Sequence, residues 1–136
     1  MNDFLDVIRN NYANFSGRAR RREYWMFMVV HSLIVATLSA LFYIETAKKS
    51  GEITLNLTVV LTVIPPFIYI LFTFIPLIAL SIRRLHDIGI SGRHIWPIFF
   101  PATSTLIAVL ALFDSQPGSN HWGPNPKGVE MPVKAF

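Results

Sequence analysis

The amino-acid sequence predicts an all-α integral membrane protein: three transmembrane helices, the second long and Pro-kinked, after an N-terminal amphipathic interfacial helix. Three observations carry this. Hydrophobic residues make up 52% of the 136 positions and Asp, Glu, Lys and Arg only 15%, against about 25% charged residues in soluble domains. Three apolar runs, at 25–44, 53–82 and 94–113, are each 20 residues or longer. The charges stand between those runs rather than inside them. The whole chain, 1–136, reads as a single membrane domain.

The first element is short. Phe4, Leu5, Ile8, Tyr12 and Phe15 recur at spacings of three and four, with Asp3, Asp6, Arg9 and Asn10 on the other side. That periodicity predicts an interfacial helix over 3–15. It is no signal peptide, because the first apolar run starts late and no small-residue cleavage site follows it.

The next three elements follow from length. About 20 apolar residues span a hydrocarbon core about 30 Å thick, so 25–44 and 94–113 each suffice. The run 53–82 would be about 45 Å long as one straight helix. It contains Pro65, Pro66 and Pro76, which remove backbone donors and crowd the preceding turn, so a kink or a re-entrant break is expected there. The remainder, 114–136, holds four of the nine prolines and three of the seven glycines, and reads as a turn-rich tail.

Charge sets the expected orientation. Residues 1–24 and 83–93 carry eight Lys and Arg, against four in 45–52 and the tail. With three spans, the positive-inside rule places the N-terminus and the 83–93 loop in the cytoplasm and Asn120 on the far side. The sequence pI of about 9.8 rests on a net charge of only +4, so no nucleic-acid partner is implied. Cysteine is absent, which excludes disulfides, thiolate metal sites and cysteine nucleophiles. No phosphate-binding loop, nucleophile elbow or paired carboxylates occur.

Three polar stretches punctuate the runs. Phe15, Gly17, Arg18, Arg21, Glu23 and Trp25 lie in the first. Arg83, Arg84, Leu85, His86, Asp87, Gly89, Ser91 and Gly92 form the second, and Asn120, Gly123 and Pro126 the third. In this order, around apolar runs, they resemble the bacterial family of small inner-membrane proteins known as domain of unknown function 805. One departure is Arg93-His94 between Ser-Gly and Trp96. The resemblance implies a multi-pass inner-membrane protein and supplies no reaction.

Read as chemistry, arginines at the end of a span reach toward phosphates. Arg18, Arg21, Arg83, Arg84 and His86 are therefore the candidate site for an anionic lipid headgroup or a partner protein. Glu23 and Asp87 oppose that role as free charges, since an unpaired carboxylate at such depth is costly. They are expected in structural ion pairs, Asp87 with Arg18 or Arg21 and Glu23 with Arg83 or Arg84. His86, Asp87 and His94 are too few for a zinc or iron centre, so no metal and no cofactor are expected. His31, inside the first span, is expected to bond a neighbouring helix. Ser32, Ala36 and Ala40 form a small-residue stripe suited to helix packing or a homo-oligomer. The expected function is a non-enzymatic inner-membrane protein. The alternatives are a small oligomeric transporter or channel subunit, and a membrane-interface enzyme acting on lipid headgroups through His86 and Asp87.

Overall fold

The computed structural model describes residues 2–48, 57–99 and 101–128. Helix α1 is Asn2–Arg9, α2 is Arg21–Lys48, α3 is Leu57–Asp87 and α4 is Pro101–Leu110. A 3-10 helix, Gly92–Phe99, stands between α3 and α4.

Helix α1 ends before residue 15 because local side chains compete for the backbone. The Asp6 carbonyl accepts the Asn10 and Asn11 amides at 2.9 and 3.2 Å. The Asp6 carboxylate also takes the Asn10 and Asn11 side chains, at 2.7 and 3.1 Å. The apolar face of α1 is partly covered by protein, with Leu5 left exposed. Val7 is fully buried, and the Phe4 ring stacks on Phe27 with centroids 5.2 Å apart.

Helices α2 and α3 run antiparallel. The Ala19 amide, just before α2, donates to the Arg83 carbonyl at 3.1 Å. Further along α2, His31 Nδ1 lies 3.3 Å from Tyr69 Oη, and its ring stacks between Phe27 and Tyr69. Both helices are long and apolar enough to cross a membrane, over Arg21–Glu45 and Val60–Asp87. Their outer faces present Val29, Leu33, Leu61, Phe67 and Leu71, as expected of helices solvated by lipid. The stripe Ser32, Ala36 and Ala40 is exposed on α2, so it does not mediate the packing of α2 on α3.

Helix α3 carries Pro65, Pro66 and Pro76 within one element of 31 residues. Pro76 has no amide to offer the Phe72 carbonyl one turn back. That carbonyl instead accepts the Tyr12 hydroxyl at 2.6 Å.

The third apolar run departs from expectation. It forms the 3-10 helix and α4, packed on each other, in place of one continuous helix. Both ends of this unit lie at the same end of α3. Gly92 sits against Ile82 and His86, and the Ala111 carbonyl reaches the Arg84 guanidinium at 3.3 Å. The 3-10 segment is kinked at His94, so its eight residues rise at most about 16 Å, and the ten α residues rise about 15 Å, half of a core about 30 Å thick. Pro97 and Pro101 explain the break. Both fall inside the run, and Pro101 opens α4, where proline's missing amide costs nothing.

The buried core therefore gathers at one end of the α2–α3 pair. Val7, Ala19, Tyr24, Phe27, Leu80 and Ala111 form it. Beyond it, most of α3 between Val60 and Ile75 is exposed, with Thr73 buried.

Candidate functional site

The C-terminal end of α3 organises the site. Its last carbonyls need partners, and Gly89 starts the solution. At φ +85° it takes the left-handed conformation that glycine adopts without a Cβ penalty. The Gly89 amide donates to the His86 carbonyl at 3.1 Å, and the Ile90 amide to the Leu85 carbonyl at 2.9 Å. This is the paired closure that ends many helices at a glycine. A Cβ on Gly92 would stand 2.7 Å from Ile82 Cγ2 and 3.1 Å from His86 Nε2, so only glycine lets the 3-10 helix begin so close to α3.

Asp87 is the centre. Its side chain is fully buried, and that of Arg18 is 1% exposed, with Arg18 Nε 2.9 Å from Asp87 Oδ1. Arg84 Nη1 contacts Asp87 Oδ2, and the Ser115 hydroxyl donates to the same oxygen at 2.6 Å. The Asp87 carbonyl accepts the Gln116 amide at 2.8 Å.

The two arginines spend their remaining donors on carbonyls. Arg18 Nη1 donates to Gly118 at 2.9 Å, and Nη2 to Gln116 at 2.6 Å and Asp87 at 3.2 Å. Arg84 donates to Ala111 and Ala19, each at 3.3 Å, and to Phe113. One buried carboxylate and two guanidiniums thus tie together the segment before α2, the end of α3 and the segment after α4. Charge-assisted bonds of this kind are roughly twice as strong as neutral ones.

The remaining site residues divide by exposure. Arg83 is buried, with Nη1 3.0 Å from Glu23 Oε1, while its Nε and Nη2 have no hydrogen-bond partner among the described residues. His86 is 7% exposed. Its Nδ1 lies 3.2 Å from the Gly17 carbonyl, and its ring stacks on Trp122 at 4.6 Å and 9°. Arg21 is exposed and donates to the Leu112 carbonyl at 3.2 Å. Arg20, Arg22 and Arg93 are exposed as well.

The tail lies where it was not expected. Asn120 Nδ2 donates to the His86 carbonyl at 2.9 Å, so Asn120 and His86 share one side, against the far-side expectation for Asn120. The cause is the hairpin, which returns the chain to its starting face. A single antiparallel bridge between Asn120 and Gly123 keeps the returned segment tight. Farther out, the exposed Asp114 carboxyl is held below the usual carboxylate range by the Lys127 ammonium, with help from the Ser115 amide. Ser115, Gln116 and Trp122 are site members that reasoning from the sequence missed. Their signal was Pro97 and Pro101, read as part of a span.

The arrangement suits holding chain segments more than doing chemistry. His86 and Asp87 are adjacent but engaged in different directions, one with Gly17 and Trp122, the other with two arginines and a serine. Among the described residues, no three His, Asp or Glu side chains are grouped to hold a metal ion.

The chain belongs to the family described as "Protein of unknown function (DUF805)", whose model matches residues 12–124. It is 36% identical over 129 residues to the inner membrane protein YhaI of Escherichia coli strain K12, covering 91% of this chain and 94% of that protein. It is 33% identical over 130 residues to the inner membrane protein YhaH of the same strain, covering 93% and 98%. No solved structure matches. The matched span takes in the first two polar stretches and the third as far as Gly123, and the structure joins residues of all three in one cluster. The chain is a helical membrane protein of this family.

Proposed function

We propose that this family member is a non-enzymatic, multi-pass inner-membrane protein whose outward arginines hold anionic lipid headgroups at the cytoplasmic face. The observation that carries this reading is the division of labour among the arginines. Arg18 and Arg84 are sealed in the clamp around Asp87, which removes them from ligand binding. Arg21 and Arg93 stay exposed at the same end of the molecule. Guanidinium groups there meet phosphate groups of the leaflet.

Two spans and a half-depth hairpin support the orientation. In that arrangement α1, the clamp, Arg93 and the described part of the tail share one side, with Lys48 at the other end of α2. The basic residues then fall almost entirely on one face, a stronger asymmetry than three spans would give. The positive-inside rule makes that face cytoplasmic.

The test is native mass spectrometry of protein released from nanodiscs of mixed phosphatidylglycerol and phosphatidylcholine. Each basic residue near an anionic surface contributes about 1 kcal/mol, or several-fold in affinity. The double variant Arg21→Gln/Arg93→Gln, losing about 2 kcal/mol, should retain phosphatidylglycerol about 30-fold less, with weaker salt dependence. Unchanged retention would refute the reading.

A further inference from the structure

A groove of about 500 Å³ opens between α1 and the start of α2, apart from the clamp. Asp3, Asp6, Arg9, Arg20, Arg22 and Glu23 line it, with Leu5 and Asn10. Three guanidiniums face three carboxylates, so its formal charge is balanced. Arg22 Nε is 3.0 Å from Asp3 Oδ2. The Arg9 and Arg20 side chains are exposed. Among the described residues, Asp6 takes the side-chain amides of Asn10 and Asn11, and an ionised carboxylate accepts about four bonds. At the edge of the groove Glu23 meets the buried Arg83, which keeps two donors unused.

The surface below the groove is apolar. Met26, Val29 and Leu33 follow Arg22 at spacings of four, seven and eleven, which places them on one face of α2. Val29 is 52% exposed and Leu33 63%. Leu33 then enters a second, apolar groove of about 240 Å³ with Ile34, Thr37 and Leu38. From Arg22 to Leu33 the helix rises about 17 Å, close to one leaflet of a core about 30 Å thick.

A charge-balanced pocket at headgroup depth over an apolar track one leaflet long has the shape of a single lipid. We infer that this face of α2 binds one zwitterionic phospholipid bearing a primary ammonium, such as phosphatidylethanolamine. Its phosphate lies between Arg9 and Arg20, its ammonium donates to Asp6, and an acyl chain follows Val29 and Leu33. The carboxylates in the lining disfavour a bare anion. The carboxylate selects for N–H donors, which a choline headgroup lacks. This site is separate from the anionic contacts of Arg21 and Arg93.

Nanodiscs with equal phosphatidylethanolamine and phosphatidylcholine test it, because the two lipids carry the same net charge and differ in N–H donors. The wild-type protein should carry phosphatidylethanolamine through native mass spectrometry about tenfold over phosphatidylcholine, the worth of one charged hydrogen bond. Asp6→Asn should bring the ratio near one. Arg9→Gln/Arg20→Gln should deplete both zwitterionic lipids more than it lowers phosphatidylglycerol retention, and Arg21→Gln/Arg93→Gln should do the reverse. All these positions are exposed, and if Asp6→Asn fails to fold the arginine pair decides. Equal retention of the two zwitterionic lipids by the wild type would overturn the inference. So would displacement by millimolar soluble O-phosphoethanolamine, since the apolar track would then contribute nothing.

Discussion

Arg18 Nε lies 2.9 Å from Asp87 Oδ1, across 69 positions of sequence, with both side chains sealed from solvent. Such a pair contributes little net stability while intact, because two charges have lost their hydration. Breaking it is another matter, since a buried charge is then left uncompensated.

Asp87→Asn should therefore be among the most damaging single substitutions. It leaves Arg18 and Arg84 facing each other without an anion, and replaces one of the two oxygens that Arg18, Arg84 and Ser115 share with an NH2 donor. The expected loss is about 3–5 kcal/mol, read as a large fall in melting temperature in detergent or as failure to accumulate folded protein. Arg18→Lys keeps the charge but cannot reach Asp87, Gln116 and Gly118 together, so it should fall between Asp87→Asn and wild type. An Asp87→Asn protein as stable as the parent would contradict the clamp.

Topology offers an independent check. The chain contains no cysteine, so single cysteines at Ser16, Ser91, Ser119 and Ala47 report without background. The hairpin predicts that Ser16, Ser91 and Ser119 respond alike to an impermeant reagent in intact cells, and that Ala47 responds oppositely. If Ser119 behaves like Ala47, the 94–113 run crosses the membrane and the hairpin is wrong.

Much of this architecture is written in local chemistry, and what is not has a physical reason. Length and hydropathy suffice for α2 and α3, because a 20-residue apolar run has few alternatives in a bilayer. The grouping of Arg18, Glu23, Arg83 and Asp87 follows from electrostatics, because buried acids at a span's end need cations. The hairpin is illegible by the same measure, since hydropathy counts Pro97 and Pro101 as part of an apolar run and ignores their effect on backbone hydrogen bonding. One misread run then misplaced the whole tail, and with it Ser115, Gln116, Asn120 and Trp122. The groove of Asp6, Arg9 and Arg20 was hidden for another reason. It depends on how α1 docks on α2, which is tertiary.

Tyr12 and Pro76 should be coupled through the Phe72 carbonyl. Tyr12→Phe removes one hydrogen bond to a carbonyl that proline has left open, at a cost of about 1 kcal/mol. Pro76→Ala restores an amide one turn on, so Tyr12→Phe should cost less in that background. A double-mutant cycle on melting in detergent measures the difference. Strict additivity would show that the hydroxyl does not serve this carbonyl.

Gly92 tests the packing of the hairpin on α3. An added Cβ would stand 2.7 Å from Ile82 Cγ2 and 3.1 Å from His86 Nε2, closer than side chains tolerate. Gly92→Ala must push the 3-10 helix away or shift the His86 ring, and overpacking of this kind costs about 1–3 kcal/mol. His86 stacks on Trp122, so the shift should alter the tryptophan emission, read in a background where Trp25 and Trp96 are replaced by phenylalanine. Gly128→Ala is the comparison. Its added Cβ meets nothing within 4 Å, although φ is +68°, so its cost should be backbone strain of about 1–2 kcal/mol with Trp122 emission unchanged. Equal spectral change in both variants would mean that Gly92 has no special contact with His86, and that the hairpin does not seat against α3 at this point.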